Sequence, residues 1–125
     1  MLLNDFYKII KTDYSKDNPD SFHVKIELNG RHKIFKGHFP GNPVVPGVCI
    51  IQIVKEILLK LLKKNLFLSE GINIKFISVI KPDINKILNI DYKIKQENNI
   101  FRVRALISFK ERIFFKFKGK FRVSL

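Results

Sequence analysis

His38 is the residue whose chemistry stands out first in this sequence. It lies in a loop, residues 37–47, that reads Gly-His-Phe-Pro-Gly-Asn-Pro-Val-Val-Pro-Gly. The three prolines and three glycines exclude a helix or a regular strand, because proline fixes φ and lacks an N–H and glycine opens conformations that other residues avoid. Such a rigid loop holds one titratable imidazole, which is neutral near pH 7 and suited to remove a proton. We therefore predict that His38 lies in an active site.

One long helix is predicted to follow this loop, from about Gly47 to Lys64. Its first half is apolar on every side except at Gln52, and a helix of that kind is buried. We interpret Gln52 as a residue that lines the site, because burying an unpartnered amide costs about 1–3 kcal/mol. The second half is amphipathic, and its polar side is made of Lys55, Glu56, Lys60, Lys63 and Lys64. We expect the N-terminal half to point into the protein and the C-terminal half to emerge.

Before the helix, alternating apolar and polar residues predict a half-buried strand over Phe22–Leu28. Asp5–Tyr14 is either a strand or a short helix. Asn29-Gly30 is a hairpin signal, and it predicts a short return strand over Arg31–Lys36.

After the helix, the pattern predicts an antiparallel meander with one apolar and one wet face. Its four strands are expected around Ile72–Ile80, Leu88–Ile94, Phe101–Phe109 and Phe115–Val123. Strands segregated from a single helix indicate one α+β domain over residues 1–125, with one sheet around the central helix.

The loop resembles the signature of a known enzyme family. His38-Phe39-Pro40-Gly41-Asn42-Pro43-Val44-Val45-Pro46-Gly47 is similar to the His-Phe-Pro-Gly-x-Pro-x-x-Pro-Gly pattern of bacterial 3-hydroxyacyl-[acyl-carrier-protein] dehydratases. These are hot-dog-fold lyases of fatty acid biosynthesis, and the order of elements in this chain agrees with theirs. The resemblance implies a hot-dog fold and the elimination of water from 3-hydroxyacyl thioesters to trans-2-enoyl thioesters.

The resemblance also implies a role for individual residues. His38 would remove a proton from C2 of the acyl chain, and the 3-hydroxyl would leave as water. The N–H of Gly47, among the unpaired donors at the helix start, would hold the thioester carbonyl as negative charge develops on it. Phe39 and Val48 complete the predicted substrate-binding residues. We expect no metal and no cofactor.

Gln52 is where this sequence departs from the family. The family has a Glu or Asp fourteen residues after the histidine, supplied by the partner subunit, which protonates or orients the leaving hydroxyl. Here that position is Gln52. An amide can hydrogen-bond a hydroxyl or a water but cannot supply a proton near pH 7. We therefore expect dehydration to be weak or absent unless His38 carries the proton both ways.

Glu56 lies one helical turn beyond Gln52 and is a possible substitute for the missing acid. The favourable i,i+4 spacing of Glu56 and Lys60 makes a salt-bridged or solvated residue the preferred interpretation. Cys49 is interpreted as a core residue, because no basic residue adjoins it in the sequence to activate a thiolate.

His23 and His32 lie on the early hairpin without metal-ligand spacing, and we interpret both as surface residues.

The charge of the chain indicates either an acidic partner or a solvated strand face. The net charge is +13, and residues 86–125 hold eleven Lys and Arg against three Asp and Glu. An acidic acyl carrier protein that delivers the substrate explains this charge better than nucleic acid, and we expect neither nucleic acid nor a membrane as partner. Because family active sites form between subunits, we expect a homodimer or a higher assembly of dimers.

The sequence also predicts a cytoplasmic protein. The lone Cys49 excludes an intramolecular disulfide, and the N-terminus does not have the pattern of a signal peptide. The longest apolar stretch, residues 48–62, is too short and too polar to span a membrane.

Two alternatives stay open from sequence. The first is an acyl thioesterase on the same fold, in which Gln52 orients a water. The second is a non-catalytic protein, either a binder of acyl carriers or an inactive subunit that pairs with an active paralogue.

Overall fold

The chain forms a six-stranded antiparallel sheet packed on one long helix. The computed structural model describes residues 4–37 and 41–124. In chain order the elements are β1 (Tyr7–Tyr14), β2 (Ser21–Leu28), α1 (Ile34–Gly37), α2 (Gly47–Leu62), β3 (Leu66–Phe76), β4 (Ile87–Glu97), β5 (Ile100–Phe109) and β6 (Arg112–Val123). The strands lie in the order β1-β2-β4-β5-β6-β3. The predicted α+β class and the central helix are confirmed.

One face of the sheet forms the core together with α2. Along β2, β4 and β5 every second residue is buried, as expected for a sheet with one covered face. The phenol of Tyr92 on β4 donates a hydrogen bond of 2.8 Å to the Val54 carbonyl of α2. The same ring stacks on Phe22 of β2, with ring centroids 4.7 Å apart. This packing and this buried hydrogen bond help to fix the helix to the sheet.

Helix α2 is buried along its middle rather than along its first half. Its buried residues run from Cys49 to Leu58, whereas Val48 in the first turn is 75% exposed. The helix ends at Leu62, and Lys63 adopts the left-handed conformation with φ 53°. The prediction that the N-terminal half points into the protein and the C-terminal half emerges is therefore confirmed only in part: the first turn is exposed at Val48, and burial continues to Leu58 before the helix emerges at Lys60.

The return strand predicted over Arg31–Lys36 is wrong. This segment contains the short helix α1, whose Phe35 packs on Phe6 with ring centroids 5.4 Å apart. The side chain of Asn29 accepts from the N–H of Arg31 and donates to the Asp5 carbonyl, which turns the chain away from the sheet. Strands β1 and β4 pair with the two edges of β2, so residues 31–36 have no free edge of β2 to pair with.

The meander is confirmed for β4, β5 and β6 but not for β3. Strand β3 begins at Leu66, before the expected start, and pairs with β6 at the far edge of the sheet. Of the two structures considered for Asp5–Tyr14, the strand is the one observed: β1 spans Tyr7–Tyr14 and lies at the opposite edge of the sheet.

The outer face of the sheet carries rows of basic side chains. Lys93, Arg104 and Lys118 are direct neighbours across β4, β5 and β6. The next row places Lys95, Arg102 and Lys120 side by side in the same way. Glu97 lies 3.8 Å from both Lys95 and Arg102, which offsets part of this second row.

Within residues 4–37 and 41–124, no helix has the length and the apolar character needed to cross a bilayer.

Candidate active site

The loop that carries the sequence motif is described from Gly41 onwards, and His38 and Phe39 lie outside the described residues. Gly41 has φ +87°, a conformation that strongly favours glycine. The N–H of Val45 donates a hydrogen bond of 2.8 Å to the Ile80 carbonyl, and the Val45 side chain is buried. The second half of the loop is therefore anchored to the segment that follows β3, which fixes the start of α2.

Gly47 opens α2 with backbone donors available. The helix starts after Pro46, whose carbonyl accepts from the N–H groups of Cys49 and Ile50. Helix geometry gives the N–H groups of Gly47 and Val48 no intrahelical acceptor. The positive end of the helix dipole lies at the same point. This arrangement can stabilise a developing oxyanion, which is the function expected of Gly47.

An apolar groove runs beside Gly47. It is bounded by the loop at Val44 and Val45 and by the residues from Phe76 to Ile80. A Cβ built on Gly47 would lie 3.0 Å from the Phe76 ring, and Phe76 itself is 53% exposed. The groove therefore suits an apolar chain, and the absence of a side chain at Gly47 leaves room for the Phe76 ring close to the helix start.

Gln52 is part of a hydrogen-bonded cluster with Glu56 and Tyr7. Its Nε2 donates to Glu56 Oε2 over 2.7 Å, and the Tyr7 phenol donates to Glu56 Oε1 over 3.2 Å. Glu56 is 3% exposed. The solvated interpretation of Glu56 is therefore wrong, because β1 brings Tyr7 over this part of the helix. The cluster places a buried carboxylate next to the position where the family has its acid.

Tyr7 is held in its protonated form. Burial raises the pKa of its phenol, and the neighbouring Glu56 carboxylate raises that pKa further by its charge and by accepting the hydroxyl proton. The phenol is thus a permanent donor to Glu56 at neutral pH.

Gly47 and Gln52 face different parts of the same chain. Five residues along an α-helix correspond to a rotation of about 140° beyond one full turn. Gly47 contacts Phe76 at the end of β3, while Gln52 connects through Glu56 to Tyr7 at the start of β1. Because β1 and β3 are the two opposite edges of the sheet, one chain does not bring the two residues together.

The remaining candidates are separate from this site. Cys49 is 5% exposed, and burial raises the pKa of its thiol, so its interpretation as a core residue is confirmed.

His23 pairs with Asp91 on the outer face of the sheet. His32 contacts Asp5 and Phe6, and with its side chain only 10% exposed, its interpretation as a surface residue is wrong. Val48 extends into solvent and is not among the residues that line the groove beside Gly47.

Two residues of the site were missed from sequence. Tyr7 contacts Glu56, which lies 49 positions away in the sequence, and a local sequence pattern cannot predict such a contact. Phe76 looked like one more core position of an alternating strand. The alternation of buried and exposed residues along β3 is interrupted where its pairing with β6 is irregular. The sequence pattern does not predict these irregularities.

Comparisons with known proteins point to dehydratases. A family model described as ApeI-like, ApeI dehydratase, matches residues 14–114. The chain is 34% identical over 116 residues to the 3-hydroxyacyl-[acyl-carrier-protein] dehydratase FabZ of Caulobacter vibrioides, covering 90% of this chain and 69% of that one. It is 33% identical over 88 residues to FabZ of Levilactobacillus brevis, covering 65% and 59% of the two chains.

Solved structures share the fold. The dehydratase heterocomplex ApeI:P from Xenorhabdus doucetiae matches with a TM-score of 0.71 at 20% identity, over 91% of this chain and 96% of that one. A homologue of HP0420 from Helicobacter felis matches with a TM-score of 0.67 at 15% identity, over 97% and 90%. The hot-dog fold expected from the loop motif is confirmed.

Proposed function

This chain belongs to the family of ApeI-like dehydratases, related to FabZ, and on that premise we propose that it eliminates water from 3-hydroxyacyl thioesters. The observation that carries the proposal is the start of α2, where Gly47 offers a backbone N–H beside an apolar groove. A thioester carbonyl at this point would have a donor, a helix dipole and an apolar path for its acyl chain.

The proposed reaction begins at His38, for which the loop sequence is the support. The neutral imidazole takes the proton from C2, and the electron pair of the broken C–H bond moves toward the thioester carbonyl. The N–H of Gly47 stabilises the negative charge on that oxygen. When the C2–C3 double bond forms, the C3–O bond breaks and the imidazolium returns its proton to the leaving hydroxide, which departs as water. Gln52 orients the hydroxyl but supplies no proton.

A second copy of the chain is part of this proposal. Gly47 and Gln52 lie toward opposite edges of one sheet, so a substrate can contact both only if another subunit brings its own Gln52 to the Gly47 groove. A homodimer, or an assembly of dimers, meets this requirement. Size measurement by light scattering that finds only monomer at working concentration would contradict the shared site.

We propose an acidic acyl carrier protein as the partner that delivers the thioester. The relatives' name specifies that carrier for their own reaction, and this chain carries a net charge of +13. Opposite charge accelerates encounter and makes it sensitive to salt. Binding that persists unchanged from low to high ionic strength would argue against a charge-driven partner.

The test is hydration of a trans-2-enoyl thioester, the reverse reaction, followed by loss of enoyl absorbance. Wild type is expected to react slowly and His38→Ala not at all, while the matched control His23→Ala keeps the wild-type rate, because His23 lies on the outer face of the sheet. A parallel assay for free thiol tests the thioesterase alternative. Thiol release without loss of enoyl absorbance would replace the dehydratase proposal.

A second candidate is a subunit of a mixed dimer. Gln52 in place of the acid favours it, since a paralogue with a carboxylate at that position would complete the Gly47 groove of this chain. The ApeI:P structure is a heterocomplex of dehydratases and motivates the same idea. If the purified chain is inactive and gains activity on mixing with such a paralogue, this candidate is preferred.

A further inference from the structure

Glu56 is a buried carboxylate that the proposed reaction does not use. It is 3% exposed, lies one helical turn beyond Gln52 and accepts the hydrogen bond of the Gln52 amide. Building on the proposed function, we propose that Glu56 is a positioning residue that holds the Gln52 side chain with its Oε1 toward the substrate, and that this makes the site selective for 3-hydroxyacyl over 3-oxoacyl thioesters.

The first step of the argument is the orientation of the amide. An amide group has donors at its nitrogen and acceptors at its oxygen, and rotation by 180° exchanges the two ends. Gln52 Nε2 lies 2.7 Å from Glu56 Oε2. Rotation would bring Gln52 Oε1 against a carboxylate oxygen at this distance, and two acceptors repel each other. Glu56 therefore selects one of the two orientations.

The second step is the rigidity of Glu56 itself. Its other oxygen, Oε1, accepts from the Tyr7 phenol at 3.2 Å. The raised pKa of Tyr7 keeps that phenol protonated, so it continues to donate through the neutral range. Burial removes competing water from both hydrogen bonds, which strengthens them. The carboxylate is thus held at both oxygens by donors from two different elements, β1 and α2.

The third step is what the amide then offers to a ligand. With one N–H of Nε2 donated to Glu56, the orientation of the amide is fixed, and our proposal places its carbonyl oxygen, which only accepts hydrogen bonds, against the C3 substituent of the ligand. A 3-hydroxyl has a proton to donate to this oxygen, whereas a 3-oxo group has only lone pairs and is repelled. A site built to hydrogen-bond a hydroxyl discriminates strongly against an analogue that lacks one.

The experiment measures this discrimination. Inhibition constants of 3-hydroxybutyryl-pantetheine and 3-oxobutyryl-pantetheine are compared in the enoyl hydration assay. Wild type is expected to favour the hydroxy compound by about 10-fold, the worth of one hydrogen bond to a fixed polar group. Glu56→Gln frees the amide of Gln52 to rotate, and the ratio is expected to approach one. The control Glu70→Gln, at an exposed position of β3, keeps the wild-type ratio.

A double-mutant cycle separates positioning from a purely structural role. If Glu56 acts through Gln52, then Glu56→Gln has no further effect on the ratio in a Gln52→Ala background. An unchanged ratio in Glu56→Gln, or equal effects in both backgrounds, overturns the proposal. If Glu56→Gln does not fold, Glu56→Asp withdraws the carboxylate by one methylene and is expected to lower the ratio in the same way.

A readout that needs no activity keeps the two proposals distinguishable. The side-chain amide signal of Gln52 in a ¹⁵N NMR spectrum, assigned by its loss in Gln52→Ala, is expected to shift strongly in Glu56→Gln. If the signal shifts and the chain binds the hydroxy compound preferentially but catalyses nothing, the proposed function fails and the positioning role stands. If catalysis is present and the signal does not shift, the positioning role fails alone.

Discussion

The amide of Gln52 donates a hydrogen bond of 2.7 Å to the carboxylate of Glu56 four residues further along α2. The site therefore contains a carboxylate, but one turn away from the position at which the family has its acid. Glu56 accepts the hydrogen bonds of both Tyr7 and Gln52, and we expect it to act as an anchor for these two side chains. This relationship determines what substitutions at either position are expected to do.

Gln52→Glu is expected to increase the rate of dehydration by about 10- to 100-fold, within the range of general acid catalysis. The new carboxylate would lie next to Glu56, and two such groups share a proton, which raises the pKa of one of them. A protonated carboxyl near neutral pH can then donate to the leaving hydroxyl. Rates measured against pH should fall as this shared proton is lost.

The matched control for this change is the exchanged pair, Gln52→Glu together with Glu56→Gln. It keeps one carboxyl and one amide in contact, without the second charge. We expect this double variant to be more active than wild type. As pH rises, its rate should begin to fall at a lower pH than the rate of Gln52→Glu alone. A rate that is indifferent to residue 52 in both variants would contradict the role assigned to this position.

Gly47→Ala is expected to reduce kcat/KM by about 10-fold, because the backbone N–H remains but is less accessible. Little effect on folding is expected, because the exposed Phe76 ring can move away from the added methyl. The added methyl would meet the Phe76 ring at 3.0 Å and close the approach to the backbone N–H. Gly30→Ala is the control, since a Cβ there would make only ordinary van der Waals contacts with Pro82, at 3.5 Å or more, and Gly30 lies outside the loop that holds His38. Equal loss of activity in both variants would show that the crowding at Gly47 is irrelevant.

Tyr92→Phe is expected to destabilise the protein by about 1 kcal/mol, the typical net value of a buried hydrogen bond. It removes the donor to the Val54 carbonyl and leaves the ring stacked on Phe22. Tyr14→Phe, at a position that is 63% exposed, is expected to leave stability unchanged. Urea denaturation of the three proteins measures the difference, and identical midpoints would contradict the assigned role of the Tyr92 phenol.

The free energy of unfolding is expected to fall at alkaline pH. Burial raises the pKa of Tyr92 above its ordinary value of 10.0, and the neighbouring Tyr7 raises it further. The folded state then keeps a proton that the unfolded state releases, so stability is complete below the unfolded pKa and decreases as pH rises through it. Urea denaturation at about pH 8 and about pH 11 should show this loss, and a smaller one in Tyr92→Phe.

Periodicity was sufficient to predict α2, β2 and the β4–β6 meander, because each has one covered face and therefore a regular pattern. The prediction failed at Arg31–Lys36. The Asn29-Gly30 turn signal can be seen in the local sequence, but a return strand also needs a free edge of β2, and both edges are occupied by distant strands. The prediction also failed for β3, whose partner β6 follows it by almost fifty residues.

The candidate site was predictable where its residues are consecutive. The loop and Gly47 were found from one motif, and the spacing of the motif identified Gln52. Glu56 was misjudged because its spacing to Lys60 is typical of an exposed helix face. Only the tertiary contact with Tyr7 explains its burial, and that contact joins the first strand to the only long helix within the described residues.

The basic rows on the outer face of the sheet have a consequence for encounters between copies of this protein. Lys93, Arg104 and Lys118 stand side by side, and the same row would confront itself if two molecules met face to face. Such a meeting costs electrostatic energy that only dissolved anions can screen. In concentrated solutions at low salt, copies should therefore not associate through this face, and any contact between copies is expected at the helices or the sheet edges.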